Sequence, residues 1–303
     1  MKLINSSVEL LSETSKFKSV ERAARTCYKS EAKSDDTEEG AKEFTERMIK
    51  NGHYAMLDHA PVYLATNDDS IYEFFAKNPY SSVHYLPNPA DYDSAYCYYI
   101  TTNYRVLVEN DRTSLLEFEV EPTKFHNRFY SVKFICSRAI ANEIVRHRTL
   151  GYAQESTRYC NYSNDKFDNE VTFIIPGSVQ TNETAEKLTD AYTEFTTAMS
   201  EAEKHYLSLI DQGWKPQQAR DVLPLATKTE LVATGPISSW MHFFELRCAP
   251  SAHPDIQALA KDLYKQMFNR EWSDDIITTT DDTKESESGS VSTSTVDSDT
   301  TQG

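Results

Sequence analysis

The sequence predicts an α+β (α/β) fold in which a central sheet is flanked by long helices. Apolar and polar residues alternate in YSVKFIC, where Val132, Phe134 and Cys136 share one face of a strand. The period changes in the next segment, SRAIANEIVRHR, where apolar residues recur at helical spacing. Two longer apolar stripes, in 183–212 and 254–270, predict two further helices, closed by Gly213 and opened by Pro254 respectively.

The N-terminal region predicts two shorter helices. VERAARTCYKS (20–30) has the pattern of a short helix, and an acidic helix follows across 36–51 and stops at Gly52. Three polar residues lie just beyond this stop, before the apolar run APVYLAT: His53, Asp58 and His59. A turn with packed histidines is the ordinary interpretation of that arrangement.

Between these helices and YSVKFIC, the pattern predicts one strand and one irregular region. In LEFEVEP (116–122), Phe118 and Val120 alternate with glutamates, which predicts a strand with an acidic outer face. Residues 66–115 are irregular and rich in tyrosine, with turn signals at NPA. We interpret 66–115 as an inserted lobe.

The segment RHRTLGYAQESTRY (146–159) is expected at the end of a helix and in the loop beyond it. Ser137 is a candidate N-cap, and Arg146-His147-Arg148 forms the predicted last turn, with Gly151 ending the helix. Gln154, Ser156 and Arg158 then fall on the following loop. Glu155 and Thr157 are interpreted as spacers between them.

Composition and charge narrow the functional classes. The chain has 303 residues and a net charge of −16, which argues against a general nucleic-acid-binding protein. Residues 274–303 contribute −7 of this net charge, so the rest of the chain is only moderately acidic. The segment 278–303 is almost entirely Ser, Thr, Asp, Glu and Gly and is predicted to be a disordered acidic tail, which leaves one domain over 1–277.

Cysteine usage and hydropathy predict a cytoplasmic protein without structural metal. Five cysteines are scattered without a CxxC motif or metal-ligand spacing, which indicates reduced thiols and no zinc site. No run of 18 apolar residues occurs, so no membrane association is expected.

Arginines are the candidate binding residues, because the planar guanidinium donates two parallel hydrogen bonds to phosphate and keeps its charge. Five stand out: Arg146, Arg148, Arg158, Arg220 and Arg247. The last two lie in apolar surroundings, where a salt bridge to one of the many acids is the alternative explanation. The chain has neither GxGxxG nor GxxxxGK[ST], so side chains rather than a glycine loop would hold a nucleotide or dinucleotide.

Neutral groups in the same motif suit a pyrimidine. Gln154 and Ser156 have donors and acceptors for a base edge, and Tyr152 or Tyr159 is suited to stacking. Ser156 is not in a GxSxG elbow, which argues against a serine nucleophile. For Cys160 two explanations stay open, a reactive thiolate beside Arg158 and a small buried side chain.

These residues resemble the signature of the flavin-dependent thymidylate synthases, in which Arg-His-Arg is followed after seven residues by Ser, with Arg-Tyr two and three residues later. The segments ARTCY, GHYAMLDHA, ARDVLPLATKTE and FFELRCAPSAHPDI also resemble that family, in the same order. The resemblance covers most of 20–270 outside the lobe. It implies that family's fold, with a mostly antiparallel sheet.

The resemblance implies synthesis of dTMP from dUMP in a homotetramer, with 5,10-methylenetetrahydrofolate as carbon donor and NADPH-reduced FAD as hydride source. Cofactor-binding positions would be Arg146, His147, Arg148, His53, Asp58 and His242. Positions for dUMP would be Gln154, Ser156, Arg158, Arg220, Arg146 and Arg247. Of these, Arg247, Arg158 and Ser156 are the candidate catalytic residues, and Ser156 would orient the substrate.

The sequence departs from the family's usual residues at Gly151, Ala55, Asp58, Pro236, Ser238 and His242. Two alternative functions therefore remain open. One is a related flavin-dependent enzyme that makes a hydroxymethylated pyrimidine nucleotide. The other is a non-catalytic nucleotide-binding homologue.

Overall fold

The computed structural model describes residues 1–177 and 185–273. Its strands are β1 (Lys2–Ile4), β2 (Ser7–Leu10), β3 (Pro61–Thr66), β4 (Ser82–Tyr85), β5 (Tyr98–Asn103), β6 (Phe129–Ser137), β7 (Gly151–Gln154), β8 (Thr172–Ile174) and β9 (Lys228–Pro236). Its helices are α1 (Lys16–Tyr28), α2 (Glu38–Lys50), α3 (Asp69–Ala76), α4 (Tyr104–Glu109), α5 (Arg138–Ile144), α6 (Ala185–Asp211), α7 (Pro216–Ala219), α8 (Ile237–Arg247) and α9 (Pro254–Phe268). The predicted tail, 278–303, lies outside the described residues.

A four-stranded antiparallel sheet, ordered β2-β6-β9-β7, forms the centre of the fold. Its long central pair runs from Phe129 opposite Pro236 to Ser137 opposite Lys228. One face packs against α8 and α9 in the main hydrophobic core, whereas Val232 on the other face meets Ala23 of α1. The predicted α+β class and the mostly antiparallel sheet are therefore confirmed.

The alternation predicted for β6 is confirmed. Val132, Phe134 and Cys136 are fully buried and face the aromatic side chains of α8, including Trp240 and Phe243. The ring centroids of Phe134 and Phe243 lie 6.1 Å apart. Replacing Phe134 by alanine would leave a cavity in this layer and cost about 3–5 kcal/mol.

The predicted helices are present, with shifted ends. The first begins at Lys16, because Ser15 caps it by accepting a hydrogen bond from the Lys18 amide at 3.2 Å. In the α6 stripe, Met199 and Tyr206 are buried, but Ala191, Tyr192 and Ala198 are exposed. Among the described side chains of α6, those that pack against the cluster around Phe173 fall between Phe195 and Ile210. Leu188 of that stripe lies outside the described side chains.

The lobe is more regular than the sequence predicts. It contains α3, α4 and strands β4 and β5, which form an antiparallel sheet with β3 in the order β3-β5-β4. This sheet has its own buried cluster, which includes Leu64, Phe75 and Ile100. Five of the six β5 residues are buried, so both faces are covered and the strand shows no alternation.

The strand predicted at LEFEVEP (116–122) is wrong. Residues Thr113–Phe118 form a 3-10 turn, and only Glu119 makes a bridge, to Leu64. The apolar residues Leu115 and Phe118 are three apart, and both pack onto the lobe's core. The segment is therefore helical, because its packed apolar residues are spaced as in a helix, although its glutamates alternate as in a strand. Within 1–177 and 185–273, no helix is long and apolar enough to cross a membrane.

His59 is a buried histidine that links the turn after α2 to the central sheet. It is 1% exposed, and its Nδ1 lies 2.8 Å from Thr234 Oγ1, which in turn lies 2.9 Å from Ser131 Oγ. Burial lowers the pKa of His59 to about 4, and the nearby charge of Arg22 adds to this shift. The imidazole is therefore neutral in the folded protein at pH 7.

Acidification is expected to destabilise the fold through His59. An unfolded histidine titrates near about pH 6.5, so the unfolded chain binds more protons than the folded chain between about pH 6.5 and 4. The contribution of neutral His59 to the free energy of unfolding is fully present above about pH 6.5. It falls by up to about 3 kcal/mol as the pH is lowered to about 4. Chemical denaturation at several pH values measures this loss of stability, which His59→Asn should reduce.

His205→Asn, on the exposed face of α6, is the control and should leave the loss of stability unchanged. An equal loss in wild type and His59→Asn would contradict the account.

Candidate active site

The Arg-His-Arg segment lies in a turn between α5 and β7, not in the last turn of a helix as predicted. Ser137 caps α5 as expected, but the helix ends at Ile144. The Tyr152 hydroxyl shares its one proton between two carbonyl oxygens, those of Ile144 at 2.7 Å and His147 at 2.9 Å. These bonds satisfy terminal carbonyls and turn the chain, so that Gly151 begins a strand rather than ending a helix.

His147 and Arg247 form one part of the site. Arg247, at the C-terminal end of α8, donates from Nε to His147 Nε2 at 3.0 Å. Its Nη1 bonds a Glu143 carboxylate oxygen at 2.8 Å, and its Nη2 bonds the Glu143 carbonyl oxygen at 3.0 Å. The salt bridge that the sequence left open is therefore present for Arg247. We call Arg146, His147, Arg148 and Arg247 the His147 cluster.

Burial keeps His147 neutral. Its side chain packs edge-on against Phe243, with ring centroids 4.9 Å apart. Burial lowers its pKa to about 4, helped by the charges of Arg247 and His242. The hydrogen bond from Arg247 requires an unprotonated Nε2, which agrees with that pKa. The cationic group at this point is consequently the guanidinium and not the imidazole.

A second group of side chains lies at the other end of β7. Arg158 Nε donates to Gln217 Oε1 at 3.3 Å, and Arg220 Nη1 donates to Thr157 Oγ1 at 3.4 Å. We call Ser156, Thr157, Arg158, Gln217 and Arg220 the Arg158 cluster. Arg220 is exposed, so the expectation that it lies buried in apolar surroundings is wrong for this chain. Tyr159 is also exposed, and the Arg158 guanidinium lies 5.3 Å from its ring centroid.

Strand β7 separates the two clusters. Gly151 pairs with Thr234 and Gln154 pairs with Leu231, so Gln154 is in a strand and not in a loop. Its Nε2 donates to Thr229 Oγ1 at 3.2 Å. Four strand residues span roughly 10 Å. The structure thus brings Arg158 near Arg220 and His147 near Arg247, at opposite ends of one short strand.

Four of the five candidate arginines have no carboxylate partner within 4 Å among the described residues: Arg146, Arg148, Arg158 and Arg220. All four are exposed. Elsewhere in the described residues, Arg25, Arg47, Arg105 and Arg128 have a carboxylate partner, whereas Arg22, Arg112, Arg138 and Arg270 have none, so what distinguishes the motif is that three such arginines lie within 146–158. Unpaired guanidinium groups concentrated in one motif of an acidic chain indicate a site for anions.

The remaining predicted cofactor residues are dispersed. His242 is exposed beside His147, with ring centroids 6.1 Å apart, and lies 3.4 Å from a Glu245 oxygen. His53 is exposed at the start of the 3-10 turn Tyr54–His59. Asp58 is half-buried and accepts a hydrogen bond from Arg105 Nη1 at 3.1 Å. Burial raises the pKa of Asp58, although the charge of Arg105 opposes this.

A cavity of about 440 Å³ adjoins the His147 cluster, and we call it the lobe cavity. Four of the six departures from the family's usual residues line it: Asp58, Gly151, Pro236 and Ser238. Arg148 also lines it. A larger cavity, of about 710 Å³, lies around Arg22 and Tyr63 and holds none of the predicted site residues. The lobe cavity is therefore the candidate site because of the residues that line it, although it is the smaller of the two cavities.

Glu155 and Thr157 are not spacers, as the sequence suggested. The buried Glu155 carboxylate accepts from Lys228 Nζ at 2.8 Å and from the Tyr162 hydroxyl at 3.3 Å. Lys228 also bonds Glu230 at 2.6 Å. Burial by itself would raise the pKa of Glu230, but the charges and hydrogen bonds of Lys228, Lys133 and Lys29 together lower it. Lys228 and Glu230 stand at alternate positions of the otherwise apolar strand KTELVATG. This pattern is the sequence signal that could have revealed a buried partner for Glu155.

Cys160 is fully buried, so it is the small core side chain of the two explanations considered. Cys136 and Cys248 are buried as well. Within the described ranges, no group of three or more His, Cys, Asp or Glu side chains has the arrangement of a metal site.

Comparison with known proteins agrees with the motif. Residues 120–270 match the family model described as "Thymidylate synthase complementing protein". A flavin-dependent thymidylate synthase from Geobacter sulfurreducens is 35% identical over 129 residues, which cover 43% of this chain and 51% of the relative. One from Pyrococcus furiosus is 32% identical over 136 residues, covering 45% and 52%. The chain thus spans about half the length of the curated relatives it matches.

Two solved structures are similar over most of their length. They are the UMP/dUMP methylase PolB from Streptomyces cacaoi bound with 5-Br UMP, at TM-score 0.45 and 16% identity, and the same protein bound with 5-Br dUMP, at 0.44 and 17%. Each alignment covers 89% of this chain, with 92% and 93% of the other. Because both TM-scores are below 0.5, they settle neither the fold nor the site.

The resemblance first seen in RHRTLGYAQESTRY is thus confirmed by the family match over 120–270 and by the curated relatives. Through this segment, the chain belongs to the flavin-dependent thymidylate synthase family.

Proposed function

We propose that the protein is a methyltransferase that converts dUMP to dTMP, with 5,10-methylenetetrahydrofolate as carbon donor and NADPH-reduced FAD as hydride source. The observation that carries this proposal is the set of unpaired arginines at both ends of β7, within the segment that matches the family. Such a set suits two ligands that each bear phosphate.

The Arg158 cluster is the proposed dUMP site. Arg158 and Arg220 present exposed guanidinium groups whose only side-chain hydrogen bonds among the described residues go to neutral oxygens, of Gln217 and Thr157. A phosphate would replace these weak bonds by charge-assisted ones. Gln154, the last residue of β7, and Ser156 of the cluster have the donors and acceptors to bond the edge of the uracil ring.

Ser156 fits an orienting role better than a nucleophilic one. Its hydroxyl oxygen accepts a hydrogen bond from the Arg158 amide at 3.3 Å. Within the described residues, no histidine or carboxylate is hydrogen-bonded to that hydroxyl as a general base would be. Reduced flavin, when bound, would supply the hydride, and Ser156 would then orient the uracil ring without forming a covalent bond to it.

The His147 cluster and the lobe cavity are the proposed FAD site. Arg146 and Arg148 are unpaired cations able to bind a pyrophosphate, and Arg148 lines the cavity. A volume of about 440 Å³ suits part of a dinucleotide. The residues present therefore fit the cofactor: Asp58 lines the cavity, and His242 lies beside His147.

Arg247 would stabilise negative charge that develops on the uracil ring. Its guanidinium is held by Glu143 and His147, so its orientation is set before substrate binds. A fixed cation in a partly water-excluded site lowers the energy of a developing anion without reorganisation. Because His147 is neutral, it orients this cation and does not repel it.

The proposed homotetramer has support in the surface next to the site arginines. Val222 and Leu225 near Arg220, and Leu246 beside Arg247, are exposed apolar side chains, with Leu225 at 62% exposure. Exposed apolar residues beside the binding groups at both ends of β7 suit a surface covered by a partner or a ligand. Other copies of the chain would then complete the active sites.

The function is tested by the mass of the product. With dUMP, labelled 5,10-methylenetetrahydrofolate, FAD and NADPH, we expect labelled dTMP, heavier than dUMP by one methylene group. A product heavier by a further oxygen would indicate the hydroxymethylating alternative. No turnover by purified protein that also takes up no FAD would contradict the enzyme proposal and favour the non-catalytic alternative.

Arg158→Ala is expected to weaken dUMP binding by about 10- to 100-fold, because a charge-assisted hydrogen bond to phosphate contributes about 1.5–3 kcal/mol. Bound flavin should be retained, since the His147 cluster lies at the other end of β7. Calorimetric titration with dUMP and the flavin absorbance after desalting measure the two effects. Arg47→Ala, an exposed arginine on α2, is the matched control. Loss of flavin together with dUMP would show that the two sites are not separate.

A further inference from the structure

The lobe forms one wall of the lobe cavity. The cavity is lined by Arg148, Gly151 and Ser238, from the turn, β7 and α8 of the central fold. It is also lined by Tyr80 and Arg105, from the lobe. Tyr80 is 69% exposed. A ligand in this cavity would therefore touch both the segment matched by the family model and a segment outside that match.

Arg105 connects the lobe to Asp58. It lies in α4, and its Nη1 donates to Asp58 Oδ2 at 3.1 Å while its Nε donates to Glu109 Oε1 at 2.8 Å. Two carboxylates thus balance the charge of Arg105, which makes it a poor binder of a further anion. Its geometry instead fixes the direction of the Asp58 carboxylate.

Asp58 is confined from the other side by β7. A Cβ atom at position 151 would lie 2.6 Å from Asp58 Cβ, so the close approach of Asp58 to the strand requires glycine there. The departures at Asp58 and Gly151 are therefore one structural feature. Asp58 is held between the β7 backbone and Arg105, at the border of the cavity.

Asp58 and Arg148 would recognise different parts of a ligand. An ionised carboxylate only accepts hydrogen bonds, so Asp58 selects N–H or O–H donors, whereas the unpaired Arg148 selects an anion. A flavin nucleotide has both, with N–H and hydroxyl donors on the flavin and its ribityl chain and negative charge on phosphate.

We propose that the lobe is the second wall of the flavin cavity and that Arg105 is a positioning residue, which binds FAD indirectly by holding the Asp58 carboxylate toward the ligand's donors. This inference rests on the proposed flavin site. The lobe then belongs to the cofactor site rather than to a separate interaction module.

FAD titrations, followed by flavin fluorescence, test this coupling in a double-mutant cycle. Arg105→Gln is expected to weaken FAD binding by about tenfold or more, and Asp58→Asn by a similar factor. The double variant should lose no more than either single one, because Arg105 acts through Asp58. A role in stability alone would leave the affinity of the folded protein unchanged, and thermal melts of each variant establish that it is folded.

Two further variants keep the test decisive. Arg105→Lys retains a charge for Asp58 but cannot bond Glu109 at the same time, so we expect intermediate affinity. Arg112→Gln, in the lobe but stacked on Phe74 at 5.0 Å and outside the cavity lining, should bind FAD like wild type. Equal FAD affinity in wild type, Arg105→Gln and Arg105→Lys would overturn the inference, as would additive losses in the cycle. Wild type that binds no FAD would instead overturn the proposed function, and this inference with it.

Discussion

The pairing of β7 with β9 is the constraint on which both parts of the site depend. Four residues of β7 are fixed on the edge of the central sheet, and the Glu155 amide extends the pairing by donating to the Glu230 carbonyl at 2.8 Å. The arginines and the histidine of the motif lie before or after this short strand, and Gln154 is its last residue. A slip of one residue would turn each side chain to the opposite face and separate the motif from Arg247 and Arg220.

Buried charges hold this strand in register. Lys228 on β9 pairs both with Glu155, directly after β7, and with Glu230, and Lys29 at the end of α1 pairs with Glu230 at 2.8 Å. Buried ion pairs add little net stability, but removing one partner costs about 3–5 kcal/mol because it leaves an uncompensated charge. The network therefore specifies one arrangement of α1, β7 and β9 more than it strengthens the fold. The site arginines remain outside it and stay available for ligands.

The sequence predicts the periodic elements and the motif well, and the long-range relations poorly. Val132, Phe134 and Cys136 identify β6 because the buried face of the strand takes apolar residues at every second position. Pro254 marks the start of α9. The end of α5 was missed, because a hydroxyl in the next strand, that of Tyr152, bonds the last carbonyls. The partner of Glu155 lies 73 residues away, at Lys228, so local spacing could not reveal it. In the same way, neighbouring residues gave no sign that Asp58 and Gly151 meet.

The central claim is that the two ends of β7 serve a nucleotide and a flavin, respectively. The most direct measurement is an experimental structure of the protein with FAD and dUMP bound. We expect the dUMP phosphate within hydrogen-bond distance of Arg158 or Arg220, and the flavin nucleotide against Arg148 in the lobe cavity. A phosphate bound instead by Arg22 in the larger cavity, or a flavin outside the lobe cavity, would contradict this account.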